Sequence, residues 1–199
     1  MRGVEQIPWI YDAFMAVFEH SGLSRWRHWL VSGAQGSTLE VGCGTGRNLP
    51  LYPPNVHVIG LEIDRHMLMA ARRRAGHVPL VVGRAEALPF RDGQFDTVVS
   101  ALVFCTVQYP DVGLAEVRRV LQPAGQLRMM EHVRYPATLG KIQDLTQPVW
   151  TAIAGGCHPN RNTEAAVTNA GFEIDLSTRR ARNTMRRFVA RPTAGKERQ

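Results

Sequence analysis

Two carboxylates and three glycines could do the chemistry in this chain. Glu40 stands in the short apolar run Leu39-Glu40-Val41, and Gly42, Gly44 and Gly46 follow it at every second position. Glu62 closes a second apolar run, His57-Val58-Ile59-Gly60-Leu61-Glu62. A strand that turns at once toward a helix, with a ligand against the turn, needs residues without a Cβ, because glycine allows positive φ and close backbone approach. A carboxylate at the tip of the next strand can accept both hydroxyls of a ribose. The pattern therefore points to an adenosine-bearing ligand across the tips of two neighbouring strands.

The glycine spacing narrows the ligand. Dinucleotide sites read G-x-G-x-x-G and aim a helix N-terminus at a pyrophosphate. Here the spacing is G-x-G-x-G, and Glu40 just before it is a poor neighbour for a pyrophosphate. A carboxylate there suits a ligand that carries an ammonium group and a sulfonium.

Further candidates lie downstream. Glu131-His132 ends another apolar run, and a histidine with its usual pKa of roughly 6.5 can take a proton from a thiol or amine near neutral pH. The alternative is a hydrogen-bonded histidine that fixes the segment after it. Cys105 is expected to line the acceptor pocket, with Asp144, Trp150, His158 and Arg161 reaching substrate from the long segment 133–162. Cys157 and His158 are adjacent but have no second ligand pair nearby in sequence, so no metal is expected.

The elements that must position these residues alternate. Strands are expected near 37–41, 57–62, 79–82, 95–101 and 126–132, and helices near 45–51, 65–75, 111–121 and 163–171. Such alternation builds a parallel sheet with helices on both faces. Phe172–Leu176 and Arg187–Ala190 read as two more strands, joined too briefly for a crossover helix and therefore antiparallel. The fold class is α/β: a Rossmann-like, seven-stranded, mostly parallel sheet with an antiparallel C-terminal hairpin. Residues 1–36 are expected to form a helical cap, with a break at Ser21-Gly22, which either brings Tyr11 and Asp12 to the ligand or only covers one face of the sheet. Residues 37–132 form the binding core, 133–162 an acceptor-side lid read as a loop, 163–191 the last helix and hairpin, and 192–199 a disordered tail.

Composition sets the class. The chain has 199 residues, 44% of them apolar, which suits one domain with a full core. No apolar run approaches the ~20 residues of a membrane-spanning helix, and the first residues do not read as a signal peptide. The three cysteines have neither even count nor metal spacing, which suits a reduced, cytoplasmic setting. The net charge of +7 is carried almost wholly by arginine, notably Arg72-Arg73-Arg74 and Arg179, Arg180, Arg182, Arg186, Arg187 and Arg191. These clusters fit either a solvated arginine-rich surface or peripheral contact with an anionic membrane. No aromatic-rich basic module of the kind that holds single-stranded nucleic acid is present, and no nucleic-acid partner is expected.

The run Glu40-Val41-Gly42-Cys43-Gly44-Thr45-Gly46 resembles the first motif of the class I S-adenosylmethionine-dependent methyltransferases. Gly60-Leu61-Glu62-Ile63-Asp64, Gly83-Arg84-Ala85-Glu86-Ala87-Leu88-Pro89-Phe90 and Gln94-Phe95-Asp96-Thr97-Val98-Val99 are similar to the later motifs of that family, in the same order. The resemblance implies S-adenosylmethionine as cofactor and S-adenosylhomocysteine as product. Glu40 would orient the ammonium through the glycine loop or a water, Glu62 would take the ribose, and Ala85 and Glu86 would face the adenine. Ile63, Ala101 and Tyr11 would complete the cofactor contacts. The family often has Asp where this chain has Arg84, which passes the adenine amino contact to Glu86.

A narrower resemblance lies in Leu102–Val107, Glu131-His132-Val133-Arg134, Gln143-Asp144, Pro148-Val149-Trp150 and Gly155–Arg161. These are similar to the animal microsomal alkyl-thiol methyltransferases and to bacterial phosphatidylethanolamine N-methyltransferase-like proteins. No membrane-anchoring segment like that of the animal members is read here. The implied acceptor is a small thiol first, a phospholipid amine second, and a carbon or oxygen centre of a small metabolite third.

Overall fold

The computed structural model describes residues 7–18, 22–135, 137–153 and 156–193. Its strands are β1 (Ser37–Val41), β2 (His57–Glu62), β3 (Leu80–Val82), β4 (Phe95–Ala101), β5 (Leu121–His132), β6 (Phe172–Arg182) and β7 (Met185–Pro192). Its helices are α1 (Pro8–Phe18), α2 (Ser24–Ser32), α3 (Arg65–Arg74), α4 (Pro110–Val120), α5 (Ala137–Ile153) and α6 (Thr163–Asn169). The strands form one sheet in the order β3-β2-β1-β4-β5-β7-β6. Strands β1 to β5 pair in parallel, and β7 runs antiparallel to both β5 and β6. The expected Rossmann-like α/β sheet with its antiparallel terminal hairpin is present.

Strand alternation divides the core. Leu39, Val41, Leu61, Val98, Leu127 and Met129 share one cluster with Leu114, Val117 and Val120 of α4 and Val167 of α6. On the other face Val99 and Met130 pack with Leu30 of α2, and Val58 packs with Ala71 of α3. Glu40 pairs in register with Gly60 and Val99, so it lies on this second face. That placement decides its role below.

Several arginines are structural. Arg128 on β5 is 7% exposed and donates to Leu30 O (2.7 Å) and Trp29 O (2.6 Å), the open carbonyls at the end of α2. Its guanidinium also stacks on the Trp29 ring at 4.6 Å, and Arg187 stacks on the same ring at 4.3 Å. Burial pulls the Arg128 pKa down to about 10. These cations bind the helical cap to the sheet.

The structure corrects four local expectations. In place of a helix over 45–51 there is one 3₁₀ turn, Leu49–Leu51. Pro50 sits inside that turn, and Tyr52, with ψ of 143°, precedes Pro53 and leaves the helical region as pre-proline residues do. The lid is not a loop but chiefly α5, seventeen residues long with Pro148 inside it. Leu139, Ile142, Leu145 and Val149 of α5 face solvent rather than a core. The hairpin strands extend well beyond the apolar cores read from sequence, and turn at Asn183, where φ is 51°. Pro192 belongs to β7 and pairs with Phe172, so the disordered tail does not begin there. Residues 194–199 and Ser21 lie outside the described residues. Among the described residues no helix is long and apolar enough to cross a membrane.

Candidate functional site

The carboxyl ends of β1, β2 and β4 open onto a cleft of about 350 Å³, where ligands of open α/β sheets bind. At the end of β1 the chain turns through Gly42, Gly44 and Gly46, all with positive φ. Two of these have distinct reasons to be glycine. A Cβ at Gly46 would lie 2.9 Å from the backbone of Ala71, so this position lets the loop lie against α3. A Cβ at Gly44 would meet nothing within 4 Å, so here the backbone faces open space on the cleft wall.

Glu62 ends β2 and fixes the loop from the other side. Its Oε2 accepts from Gly44 N at 2.9 Å and its Oε1 from Asp64 N at 3.0 Å. Burial raises its pKa above the usual carboxylate range, against the pull of the Asp64, Gly44 and Ile63 backbone N–H groups. A carboxylate has about four acceptor sites, so Glu62 can still accept from a donor in the cleft that it lines. Tyr11, Gly42, Gly44, Glu62, Ile63, Ala85, Glu86 and Ala101 all line the cleft. Ile63 is apolar yet 64% exposed, an uncovered wall of the kind a flat ring would cover. Arg84 and Glu86 pair at 3.3 Å on the cleft rim, and Glu86 Oε1 also accepts from Gln108 N at 3.2 Å.

Two expected contacts are not on the wall: Gly46 packs behind the loop, and Glu40 is 1% exposed beneath it. Glu40 Oε1 accepts from Asn48 Nδ2 at 2.7 Å, and Asn48 Oδ1 accepts from Arg27 of α2 at 2.6 Å. Burial raises the Glu40 pKa to about 7, although Asn48, Tyr52 and the Arg27 charge act to lower it. Glu40 therefore supports the glycine loop from below. Asp12 also misses the cleft. It accepts from Thr45 (2.7 Å), Arg47 (3.0 Å) and Arg74 (2.7 Å), clamping α1 onto the loop.

Sequence reading missed the importance of Glu131. Fully buried, its Oε1 accepts from Val103 N (2.8 Å), Phe104 N (2.9 Å) and Ser100 Oγ (3.2 Å). It holds the turn after β4, where Leu102 has a φ of 60° and Val103 lines the cleft. Burial raises its pKa, against the backbone N–H groups that lower it. Only the placement of Glu131 opposite the end of β4 reveals this role.

The expected acceptor residues gather elsewhere. Cys105 is 2% exposed and does not line the cleft. Asp144 is exposed and pairs with Arg134 at 2.6 Å and Asn160 at 3.1 Å. His158 Nδ1 is 2.7 Å from Gly156 O, and its backbone N–H donates to Cys105 O at 2.7 Å. Arg161 donates to Phe104 O and Val107 O, both at 2.6 Å, so it braces a loop whose Thr106, Val107 and Gln108 form cleft wall. The Trp150 side chain lies outside the described residues. His132 ends β5 away from the wall, its ring grouped with the thiols of Cys105 and Cys157. Of these residues Arg161 and His158 hold the loop after β4, and Asp144 does not touch it.

Comparison with known proteins agrees with this geometry. The family described as Methyltransferase domain matches residues 39–129. Human thiol S-methyltransferase TMT1B is 39% identical over 158 residues, covering 73% of this chain and 65% of the relative. Human thiol S-methyltransferase TMT1A is 31% identical over 172 residues, covering 82% of this chain and 70% of the relative. The chain thus spans less than two thirds of the length of TMT1B. The crystal structure of an S-adenosylmethionine-dependent methyltransferase from Thermotoga maritima superposes with a TM-score of 0.73 at 21% identity, covering 94% of this chain and 97% of that one. With the glycine loop, the carboxylate at the tip of β2 and the sheet order all in place, the chain belongs to the class I S-adenosylmethionine-dependent methyltransferases.

Proposed function

We propose that the chain transfers the methyl group of S-adenosylmethionine to a small thiol. The observation that carries the reading is the cleft lined by Gly44 and Glu62, in a chain similar to two proteins named thiol S-methyltransferases. The residues present fit the cofactor. Gly44 leaves the wall open to close approach, Glu62 can accept from a ribose hydroxyl, and Ile63, Met67 and Ala85 offer apolar surface to a ring. The cofactor supplies a methyl group already activated on a sulfonium.

The protein's task is then alignment and exclusion of water, which together supply about 7–11 kcal/mol at best. Tyr11 from the cap and Val103, Thr106, Val107 and Gln108 contribute to the cleft wall. No strong base on the wall is required, because a free thiol has a pKa of roughly 8.5 and is already partly thiolate near neutral pH.

Glu62→Ala is expected to weaken cofactor binding by about 1.5–3 kcal/mol, the scale of charge-assisted hydrogen bonds. Calorimetry on the folded variant checks this, and unchanged affinity would remove Glu62 from the ribose site. The acceptor is tested by labelled methyl transfer to small thiols and, in parallel, to phosphatidylethanolamine. Turnover on thiols should climb with pH toward roughly 8.5 as the acceptor ionises. Transfer to the amine alone would replace the thiol reading by the phospholipid one.

A further inference from the structure

Cys105 lies in the connection from β4 to α4, His132 at the end of β5, and Cys157 after α5. The two Sγ atoms and a ring nitrogen of His132 all lie within 4.8 Å of one another. The cysteines are 2% and 3% exposed, and His132 Nδ1 is buried without a hydrogen-bond partner. None of the three lines the cleft. We propose that Cys105, His132 and Cys157 form a binding site for a zinc-class divalent cation.

The donor set matches that ion. Zinc takes thiolate and imidazole ligands at about 2.3 and 2.0 Å in tetrahedral geometry, which sets ligand atoms roughly 3.5–4 Å apart. A group already gathered within 4.8 Å reaches that spacing by small side-chain rotations. On binding, each thiol gives its proton to solvent, the imidazole binds as the neutral ring, and no electrons are exchanged. Two thiolates neutralise the dication, which a buried site requires. Water takes the fourth position.

The backbones that carry the ligands are held in place. His158 N–H donates to Cys105 O at 2.7 Å, Gln147 Nε2 to Cys157 O at 2.9 Å, and Thr163 Oγ1 to His132 O at 3.4 Å. Such outer contacts orient the ligands of metal sites. The ion would join three segments far apart in sequence, tying the end of α5 to the sheet beside the cleft. It would also occupy the His132 ring, leaving that ring no part as a proton acceptor.

The test is binding, so it stands apart from the methyl-transfer reading. Reduced, metal-free full-length protein is titrated with cobalt(II) and, separately, with zinc. The expected result is one cobalt per chain with a thiolate-to-cobalt charge-transfer band and the visible bands of a tetrahedral site. Cys105→Ser and Cys157→Ser should each lose most of the charge-transfer band, while Cys43→Ser should keep it. In the wild-type protein zinc should slow alkylation of Cys105 and Cys157, read by peptide mass, so the outcome does not depend on the variants folding. A spectrum without thiolate bands, or thiols alkylated equally fast with and without zinc, overturns the site.

Discussion

Glu131→Ala is expected to lose roughly 3–5 kcal/mol of stability, and Glu131→Gln distinctly less. The alanine variant strips the acceptor from the buried N–H groups of Val103 and Phe104 and from the Ser100 hydroxyl. Each orphaned buried donor costs about 1–3 kcal/mol, and the emptied volume adds to that. Glutamine keeps an acceptor oxygen where Oε1 stands. Its amide takes the place of Oε2, which has no hydrogen-bond partner, so the cost of N–H groups without an acceptor is set against removal of a charge that burial opposes. Urea unfolding of the three proteins at neutral pH measures both differences. Equal losses for the two substitutions would mean that the charge, not the acceptor geometry, holds the turn. Because Val103 lines the cleft, surviving folded Glu131→Ala protein should also bind cofactor poorly.

The sheet and cofactor side were legible in sequence because their signals are local. Gly42 to Gly46 must turn, β-branched runs must form strands, and a carboxylate closing β2 must sit beside the glycine loop. Tyr11, Glu62, Ile63, Ala85, Glu86 and Ala101 line the cleft for that reason. The acceptor side was less legible because its contacts join distant segments. Arg161 looked like a substrate ligand but spends its donors on Phe104 and Val107 carbonyls. Asp144 looked available but is paired with Arg134 ten residues earlier. The lid read as a loop because Pro148 and the glycines argue against helix, yet α5 forms with Leu139, Ile142, Leu145 and Val149 facing out. The grouping of Cys105 and Cys157 with His132 depends wholly on how β4, β5 and the end of α5 meet. Adjacent Cys157 and His158 gave no hint of it.

Glu40→Gln is expected to change the pH dependence of stability between pH 4.5 and about 7. The Glu40 pKa rises from 4.5 to about 7 in the fold. A raised pKa means that the folded state binds the proton more tightly than the unfolded chain does. The associated stability is therefore fully present below pH 4.5 and is lost as the pH rises to about 7. That span corresponds to roughly 3 kcal/mol. Glutamine mimics the protonated carboxyl at every pH: its oxygen can still accept from Asn48 Nδ2, and the amide takes the place of the unpartnered Oε2. The stability difference between Glu40→Gln and wild type should thus be small at pH 4.5, widen in favour of the variant through pH 7, and level off about one unit above it. Titrating groups remote from Glu40 cancel in the comparison, while Glu62, whose charge helps to raise the Glu40 pKa, is relieved of that repulsion in the variant. Urea unfolding across this range reads the difference directly. Parallel profiles would show that Arg27 and Asn48 hold Glu40 ionised throughout, and that burial does not dominate beneath the glycine loop.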